Sequence, residues 1–247
     1  MAKTILITGA TAGFGEACAR RFAAEGWSLI LAGRRRDRLE SLLLELEPSV
    51  RAILTLDVRD RQAVHEQLSN LGDIDVLLNN AGLALGLEPA WAVNLDDWDT
   101  MVDTNVKGLM YCTRAILPGM VERNCGHVVN IGSTAGRWPY PGGNVYGGTK
   151  AFVQQFSRNL RADLLGTRVR VTEVDPGMAE TEFSKVRFKG DEKSAAKVYR
   201  GTEALSPADI ADVVFFVVNL PAHVNVNALE LMCIDQAWGP LAVHRKE

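Results

Sequence analysis

TGATAGFG, residues 8–15, stands between a short apolar run and a longer amphipathic one. The run that leads into it, Thr4–Thr8, has the composition of a buried strand, and Phe14–Glu25 repeats its apolar side chains with the period of a helix. In this setting Gly9 allows a tight turn, Gly13 lets the backbone approach a phosphate, and Gly15 lets helix and strand pack closely. The octapeptide therefore predicts a dinucleotide site at the start of an α/β fold.

Strands and helices are expected to alternate along the rest of the chain. Apolar runs predict strands at Ser28–Ala32, Ala52–Leu56, Val76–Asn79, His127–Ile131, Val169–Val174 and Ala228–Met232. Helical periodicity predicts helices at Asp37–Leu46, Arg61–Leu71, Asp96–Arg123, Val145–Leu165 and Pro207–Leu220. Pro118 is expected to kink or break the end of its helix. The alternation predicts one α/β domain over residues 1–247, a doubly wound parallel sheet (Rossmann fold) of about seven strands with helices on both faces.

Composition and charge exclude several classes of protein. The net charge of −3 argues against binding to nucleic acid or to an anionic membrane, because both favour a basic surface. No apolar stretch approaches the roughly 20 residues that span a bilayer, and the first apolar run reaches Gly9 too soon for a signal peptide. The four cysteines are scattered, so neither a disulfide framework nor a metal site is expected. These features predict a soluble cytoplasmic protein.

The end of the second strand distinguishes NAD from NADP. An NAD site has a carboxylate at this point, which binds the 2′-hydroxyl of the ribose. This chain instead has Gly33 followed by arginines at 34–36, and guanidinium groups bind a 2′-phosphate through charge-assisted hydrogen bonds. A solvated helix start explains these residues less well, because basic residues at a helix N-terminus oppose its dipole. We therefore expect NADP(H), with Arg34 as the first candidate ligand and Arg35 as the second.

A hydroxyl, a phenol and an amine are predicted to meet where the fifth strand ends. Tyr146 and Lys150 lie four residues apart on one face of a helix, and Ser133 follows the fifth strand. Carbonyl reduction needs a proton donor near the developing alkoxide, and a neighbouring ammonium is expected to lower the pKa of the Tyr146 phenol. A serine hydroxyl can hold the carbonyl oxygen. The alternative is structural, with Tyr146 a packed helix tyrosine and Ser133 a turn residue.

Together these motifs resemble those of the short-chain dehydrogenase/reductase family. The TGxxxGxG loop is residues 8–15, NNAG is residues 79–82, and YxxxK is Tyr146 and Lys150, with Ser133 thirteen residues before the tyrosine. PG is residues 176–177, followed by Thr181. The motifs occur in the family's order and cover essentially the whole chain. One departure is Ala12, where many NADP-specific members carry a basic residue, so binding of the 2′-phosphate would rest on the arginine cluster alone.

The resemblance implies a role for each matching residue. Tyr146 would be the general acid/base, Lys150 would bind the nicotinamide ribose and tune Tyr146, and Ser133 would position the substrate oxygen. Asn105 would support a water-mediated proton relay with Lys150, the alternative being a buried helix asparagine bonded to backbone. The other residues expected to bind the cofactor are Gly9, Thr11, Gly13, Phe14, Gly15, Asp57, Val58, Asn80, Ala81, Gly82, Pro176, Gly177 and Thr181.

Within that family, local sequences are similar to those of bacterial NADP-dependent 3-hydroxy acid dehydrogenases. The similar segments are Ala84–Ala90, Asn130–Gly136, Gly142–Gly147, Glu182–Asp191 and Leu220–Glu230. The resemblance implies a small anionic substrate of the serine or the 3-hydroxypropionate/malonic semialdehyde type. The alternative with the same chemistry is NADPH-dependent reduction of sulfoacetaldehyde to isethionate. A non-catalytic NADP(H)-binding sensor, a nucleotide-sugar epimerase and a reductase of long apolar substrates remain as more distant alternatives.

A polar segment interrupts the strand–helix alternation before the last helix. A long insertion with weak patterning predicts a lid at about residues 180–203, and a solvated surface helix is an equal alternative. An anionic substrate needs a cation nearby, for which Arg187 on this segment is the first candidate and Arg137 the second. Tyr140 and Asn144 are expected to line the same pocket.

The resemblance also implies a homotetramer. The helices Asp96–Leu117 and Val145–Leu165 would pack against their symmetry mates, and the apolar residues at 152, 153, 156 and 160 fit either a core or an interface. The tail Ala242–Glu247 carries His244 and Arg245. In an oligomer this tail could reach a neighbour's site, and a frayed terminus is the alternative.

Overall fold

Seven strands form one sheet in this computed structural model, which describes residues 2–239. Each lies within two residues of the position that its apolar run predicted. The strands are β1 (Thr4–Thr8), β2 (Ser28–Gly33), β3 (Val50–Thr55), β4 (Val76–Asn79), β5 (Gly126–Ile131), β6 (Val169–Pro176) and β7 (Ala228–Leu231).

Helices follow the strands and cover the sheet. They are α1 (Gly13–Ala24), α2 (Arg36–Glu45), α3 (Arg61–Leu68), α4 (Leu95–Val102), α5 (Leu109–Glu122), α6 (Asn144–Asp163), α7 (Phe183–Arg187), α8 (Glu192–Lys197) and α9 (Pro207–Asn219). A π-helical turn, Asp103–Gly108, joins α4 to α5, and a short 3₁₀ turn, Thr134–Gly136, follows β5. In the part of the chain that the structure describes, no helix combines the length and the apolar character that a membrane crossing requires.

Every strand pair in the sheet is parallel, and the order is β3-β2-β1-β4-β5-β6-β7. The predicted doubly wound α/β fold is therefore confirmed. Strand β1 pairs with β2 on one side and with β4 on the other, so the winding direction reverses there. In such a sheet a crevice opens outside the carboxyl ends of the strands at the reversal point. The glycine loop leaves β1 at that point.

Both faces of the sheet are buried, as a parallel sheet requires. Successive side chains of β1 alternate between two cores: Ile5 and Ile7 pack on the side of α1 and α9, and Leu6 packs on the side of α3 and α5. Phe22 is among the largest side chains of the first core and Ile116 belongs to the second. Burying each such side chain stabilises the fold by roughly 1.5–3 kcal/mol, so the strand ends are held firmly.

The long helix predicted at Asp96–Arg123 is divided in the structure. Its middle forms the π-helical turn, and the expectation that Pro118 breaks its end is wrong, because α5 continues to Glu122. A proline removes only one hydrogen bond of the helical ladder. Ile116 and Met120, on either side of it, are buried against the sheet and hold the helix in place.

The segment predicted as a lid folds into α7 and α8, and several hydrogen bonds and ion pairs attach it to the body of the protein. The Gly86 N–H donates to the Arg187 carbonyl at 2.9 Å. The Tyr199 hydroxyl donates to the Ala179 carbonyl at 3.0 Å and also bonds to the buried Ser184. The segment therefore has a packed inner side, which faces the crevice, and a solvated outer one. Its opening and closing stay a prediction.

Candidate active site

A large cleft of about 640 Å³ lies outside the carboxyl ends of the central strands. Its walls come from the glycine loop, the ends of β2, β4, β5 and β6, the start of α6 and the inner side of the 180–203 segment. Most residues singled out from the sequence line it: Gly9, Thr11, Gly13, Phe14, Arg34, Arg35, Asp57, Val58, Asn80, Ala81, Gly82, Ser133, Tyr140, Tyr146, Lys150, Pro176, Gly177, Thr181 and Arg187. Gly15, Asn105 and Asn144 are not among its lining residues.

The glycine loop leaves space for a ligand at the end of β1. Gly9 has φ +65°, and a β-carbon there would lie 2.9 Å from the Ala81 Cα. Gly13 has φ +54° and faces Thr181 across the cleft. Gly15 lies behind the loop, where a β-carbon would come within 2.4 Å of the Gly9 carbonyl oxygen. Gly15 thus allows close packing of α1, as the spacing predicted, and contributes no wall of the cleft.

The start of α1 can hold a pyrophosphate. Its N-cap residue, Ala12, gives no side-chain cap, so the first N–H groups of the helix are left for an acceptor. These N–H groups and the helix dipole favour an anion at the N-terminus. The shape of the loop, the uncapped helix start and the cleft volume all fit a dinucleotide, whose pyrophosphate would lie beside Gly13.

A network of charged groups surrounds the cleft where β2 ends. Arg34 is exposed and makes no hydrogen bond or ion pair with residues 2–239. Arg35 donates to the Thr11 hydroxyl and carbonyl at 3.1 and 3.0 Å, and it pairs with Glu182 at 2.9 Å. Arg38 pairs with the other oxygen of the same carboxylate at 2.8 Å. Glu182 therefore ties the 180–203 segment to two arginines, while Arg34 remains available to an anion.

Asp57 and Val58 form the floor of the cleft next to these arginines. Asp57 pairs with Arg59 at 2.6 Å, and this guanidinium holds the pKa of the carboxyl below its usual value. The carboxylate is thus ionised at neutral pH and already partnered. Val58 is buried against Gly108, where a β-carbon would lie 2.6 Å from the valine side chain. This fit explains the glycine at the end of the π-helical turn.

Ser133, Tyr146 and Lys150 converge at the deep end of the cleft. The Ser133 hydroxyl accepts from the Ala135 N–H at 3.1 Å and donates to the Pro176 carbonyl at 3.4 Å. Tyr146 is 8% exposed, with its ring against Phe183 at 5.5 Å between centroids. The Lys150 ammonium lies 5.9 Å from the centre of the Tyr146 ring and donates to the Ile131 carbonyl at 2.8 Å. Three groups predicted from distant parts of the sequence thus share one site.

The pKa of Tyr146 is raised in the structure, whereas the sequence analysis expected Lys150 to lower it. Burial raises it to about 12, and the lowering effects of the Ser133 hydroxyl and the Arg187 guanidinium do not offset the loss of hydration. Lys150 contributes little because its ammonium is turned to the Ile131 carbonyl. Burial also lowers the pKa of Lys150 itself, to about 8. At neutral pH Tyr146 is therefore a proton donor, and Lys150 is still largely charged.

Asn105 lies in the π-helical turn, behind the cleft wall. Its side-chain oxygen accepts from the Leu83 N–H at 2.9 Å, and its amide donates to the Leu83 carbonyl at 2.8 Å and to Thr149 at 3.1 Å. A β-carbon at Gly82 would lie 3.3 Å from the Asn105 oxygen and 3.7 Å from the Lys150 nitrogen. Asn105 thus holds the chain after β4 in place, and the glycine keeps the space beside Lys150 open.

Replacing Asn105 by alanine should leave the N–H and the carbonyl of the buried Leu83 without partners. An unpaired buried polar group costs about 1–3 kcal/mol, so we expect the free energy of unfolding to fall by about 2–4 kcal/mol. Thermal and urea unfolding would measure this. The matched control is Asn159→Ala, which removes an exposed amide bonded only to Gln155 and should change stability by less than about 0.5 kcal/mol. Equal losses of stability in Asn105→Ala and Asn159→Ala would contradict the conclusion that Asn105 holds the chain after β4 in place.

Arg187 reaches across the cleft from the end of α7. Its guanidinium carbon lies 5.3 Å from the centre of the Tyr146 ring and 5.4 Å from that of Tyr140. One of its nitrogens donates to the Tyr140 hydroxyl, and among residues 2–239 this is the only hydrogen bond of the side chain. Phe183 forms a third aromatic wall at 5.8 Å. An arginine thus lies next to the proton donor of the cleft.

Two of the predicted substrate residues take other positions. Asn144 is exposed at the start of α6, where it accepts from the Trp98 indole at 3.1 Å and donates to the Glu88 carbonyl at 3.2 Å. It connects the start of α6 to Trp98 and Glu88 and does not line the cleft. Arg137, the second candidate for an anion clamp, pairs with the buried Asp175 at 2.7 Å and lies outside the cleft walls. Arg187 remains the candidate that the geometry favours.

Several residues of the site escaped the sequence analysis. Arg38 follows Arg35 by one helical turn, a spacing that could have indicated a shared ligand. Glu182 and Gln236 reach the site from distant segments, and no local pattern marks them. The Gln236 oxygen accepts from the Met178 N–H at 2.6 Å and occupies the space over Gly177. Trp238, whose indole donates to Glu230 at 3.3 Å, lines the outer end of the cleft.

Comparisons with known proteins agree with this architecture. The sequence pattern of the family described as short chain dehydrogenase matches residues 3–192. The NADP-dependent 3-hydroxy acid dehydrogenase YdfG of Salmonella typhi is 59% identical over 246 residues, which cover 98% of this chain and 99% of the relative. Sulfoacetaldehyde reductase 2 of Chromohalobacter salexigens is 55% identical over 251 residues, covering 99% of this chain and all of the relative.

Solved structures show the same similarity. The closed form of a serine dehydrogenase complexed with NADP+ superposes with a TM-score of 0.96 at 58% identity, covering 98% of this chain and 100% of that one. An archaeal alcohol dehydrogenase from Thermococcus sibiricus, complexed with 5-hydroxy-NADP, reaches 0.83 at 28% identity, covering 96% of this chain and 99% of that one. A doubly wound sheet with a serine, a tyrosine and a lysine at its crevice defines a class of nucleotide-dependent oxidoreductases. The chain belongs to the short-chain dehydrogenase family.

Proposed function

We propose that the protein is an NADP-dependent oxidoreductase that interconverts a small 3-hydroxy acid and its carbonyl form. The observation that carries the proposal is the position of the Arg187 guanidinium, 5.3 Å from the ring of the proton donor Tyr146. A carbonyl held at Tyr146 then has a cation within reach of an acid group one or two carbons away. The relatives named as 3-hydroxy acid dehydrogenase and serine dehydrogenase support the proposal.

In the proposed reaction Tyr146 gives a proton to the oxygen of the substrate carbonyl. Ser133 donates a hydrogen bond to the same oxygen, which spreads the charge that develops there. Lys150 holds a positive charge beneath the site and, with Asn105 behind it, would return a proton to Tyr146 after each turnover. Burial keeps the tyrosine protonated at neutral pH, so this site favours reduction, and oxidation should become faster as pH rises.

The cofactor would lie along the cleft from Arg34 to Tyr146. The first N–H groups of α1 would hold the pyrophosphate, and Arg34 with Arg35 would bind the 2′-phosphate. The nicotinamide end would lie between Pro176, Gly177 and Thr181 on one side and Asn80 to Gly82 on the other. When bound, NADPH supplies the hydride for reduction and NADP+ accepts it for oxidation.

Replacing Arg187 by alanine should raise KM for the acid substrate about 10- to 100-fold, because a hydrogen-bonded charge pair contributes about 1.5–3 kcal/mol. The Kd of NADPH should change little, since Arg187 lies at the far end of the cleft from Arg34. Steady-state kinetics and a fluorescence titration of NADPH would measure the two quantities. The matched control is Lys185→Ala, which removes a cation of the same helix that pairs with Glu192 outside the cleft. An unchanged KM in the Arg187 variant would refute the anion clamp.

The proposed substrate class is tested by kcat/KM for serine, 3-hydroxypropionate, malonic semialdehyde and sulfoacetaldehyde under the same conditions. A preference for the carboxylates supports the proposal. The second candidate is sulfoacetaldehyde reduction, which the relatives of that name favour and which the same guanidinium could serve by binding a sulfonate. If NADPH absorbance neither rises with the two hydroxy acids and NADP+ nor falls with the two aldehydes and NADPH, the non-catalytic sensor is favoured.

We further propose that the chain acts as one domain with the 180–203 segment as a lid, as a homotetramer in the cytoplasm. The four free cysteines fit a reducing compartment. Of the four apolar residues of α6, Val153 and Leu160 are buried in the cores, whereas Phe152 and Phe156 stack at 5.6 Å on a less buried side that could meet a second copy. The tail at 242–247 lies outside the described residues.

A further inference from the structure

Two carboxyl groups lie buried directly behind the residue that precedes Ser133. Glu173 and Asp175 are both 1% exposed, and they stand two residues apart on β6, so their side chains share one face of the sheet. The space that they fill is the one over Gly132: a β-carbon there would lie 1.9 Å from the Asp175 Oδ1 and 2.9 Å from the Glu173 Oε1. We call Glu173 and Asp175 the carboxyl pair.

Among residues 2–239, Arg137 is the cation that forms ion pairs with the carboxyl pair, and it does so on one side. Arg137 donates to the Asp175 Oδ2 from Nη2 at 2.7 Å and from Nε at 2.9 Å, and its Nη2 lies 3.7 Å from the Glu173 Oε2. The other two oxygens, Glu173 Oε1 and Asp175 Oδ1, are buried and have no hydrogen-bond partner among residues 2–239. These are the two oxygens that converge on Gly132.

Two ionised carboxylates cannot lie this close in a buried site without a large electrostatic cost. A single proton removes the cost, because an O–H on one group can donate to the unpartnered oxygen of the other. The proton belongs on Glu173, since Arg137 makes its two short contacts to Asp175 and favours the charged form there. The arrangement then has one negative charge opposite one guanidinium, and every buried carboxyl oxygen has a partner.

We propose that Glu173 and Asp175 share one proton and act as positioning residues, which fix the Gly132–Ser133 turn and hold a single negative charge behind Lys150. The turn is anchored because the Gly132 N–H donates to the Val174 carbonyl, between the two members of the pair, at 2.8 Å. A second ionisation would push the pair apart beneath Gly132 and displace the Ser133 hydroxyl. Ser133 is the group that the proposed mechanism places on the substrate oxygen.

The pKa shifts of Glu173 and of the neighbouring Lys150 agree with this arrangement. Burial, and after it the Asp175 charge, raise the pKa of Glu173 to about 8 against the lowering effects of Arg137 and Arg158. The pair's charge in turn raises the pKa of Lys150 against the lowering effect of burial. Glu230 on β7 faces Arg137 from the other side. Glu173, whose pKa lies above its ordinary value, should therefore keep its proton at neutral pH and lose it as pH rises through about 8.

Infrared difference spectroscopy of the wild-type protein would detect the shared proton directly. We expect the C=O stretch of a protonated carboxylic acid at neutral pH, which disappears between neutral and alkaline pH. Over this same range of pH the band should be absent in Glu173→Gln and present in the control Glu122→Gln, which changes an exposed carboxyl at the end of α5. A spectrum with no such band, or a band unaffected by Glu173→Gln, would overturn the proposal. This result does not depend on the proposed function.

A kinetic comparison tests the positioning role and rests on the proposed function. Glu173→Ala leaves Asp175 Oδ1 without a donor, so kcat should fall about ten- to hundred-fold, and the Kd of NADPH should hold within about two-fold of wild type. Glu173→Gln restores most of the loss, because its amide donates to Asp175 as the protonated acid does. In the reduction direction it should also remove the decrease in kcat that the second ionisation causes in the wild type above pH 8. Equal kcat in the alanine and glutamine variants would refute the positioning role of Glu173. The comparison can be made with any substrate that the enzyme reduces, so it does not depend on the proposed substrate class.

Discussion

Phenylalanine in place of Tyr146 is expected to lower kcat about 10³-fold with little change in the Kd of NADPH. The variant removes the phenol that lies beside the Ser133 hydroxyl at the deep end of the cleft. General acid/base catalysis contributes about 10²–10⁴-fold, and a 10³-fold loss corresponds to about 4 kcal/mol of transition-state stabilisation. The ring itself stays, so its contacts with Phe183 and Arg187 are retained.

Three measurements separate this effect from a structural one. Thermal unfolding of Tyr146→Phe should differ from wild type by less than about 1 kcal/mol, because the buried ring is unchanged. The pH profile of oxidation by the wild type should rise toward the high pKa of Tyr146, and the residual activity of the variant should lack that rise. A control is Tyr111→Phe on α5, which lies outside the cleft. A variant that keeps a tenth or more of wild-type kcat would contradict the assignment of Tyr146.

The sequence predicted the fold well because each element carries its own signal. The glycine loop, the apolar strands and the Tyr146–Lys150 spacing are local patterns, and parallel pairing then brings their strand ends together. The π-helical turn at Asn105 was not predictable in this way. It changes the hydrogen-bond register of a helix without changing its apolar period, so α4 and α5 read as one continuous helix.

Long-range charges explain most of what the sequence missed. Glu182 lies 144 residues from Arg38, and only the folded 180–203 segment brings them to 2.8 Å. The pKa of Tyr146 was expected to fall because a lysine is near in sequence, whereas burial, which no spacing reports, raises it. Arg137 is a similar case. The sequence made it a candidate for binding the substrate anion, but it pairs with the buried Asp175 of the carboxyl pair, which lies on a distant strand. Charge positions could be predicted from the sequence, but not the partners of those charges.

Removal of the Arg34 and Arg35 side chains is expected to abolish the preference for NADPH over NADH. A hydrogen bond to a charged group contributes about 1.5–3 kcal/mol, so the double alanine variant should weaken NADPH binding by about 10²–10⁴-fold. NADH lacks the 2′-phosphate and should bind with a change of less than about ten-fold. Fluorescence titration of both cofactors gives the two Kd values, and Arg36→Ala is the control, because Arg36 pairs with Glu40 outside the cleft.

Arg34→Ala alone separates binding of the 2′-phosphate from structural effects. Arg34 has no partner among residues 2–239, so its loss should leave stability unchanged while weakening NADPH about 10-fold or more. Arg35 differs, because it also bonds to Thr11 and Glu182, so its removal should loosen both the glycine loop and the 180–203 segment. If Arg35→Ala weakens the binding of NADH as well as that of NADPH, the shared loss measures the structural contribution of Arg35. Equal weakening of both cofactors by Arg34→Ala would mean that Arg34 does not bind the 2′-phosphate, and Arg35 would then be the arginine of the cleft wall that remains to do so.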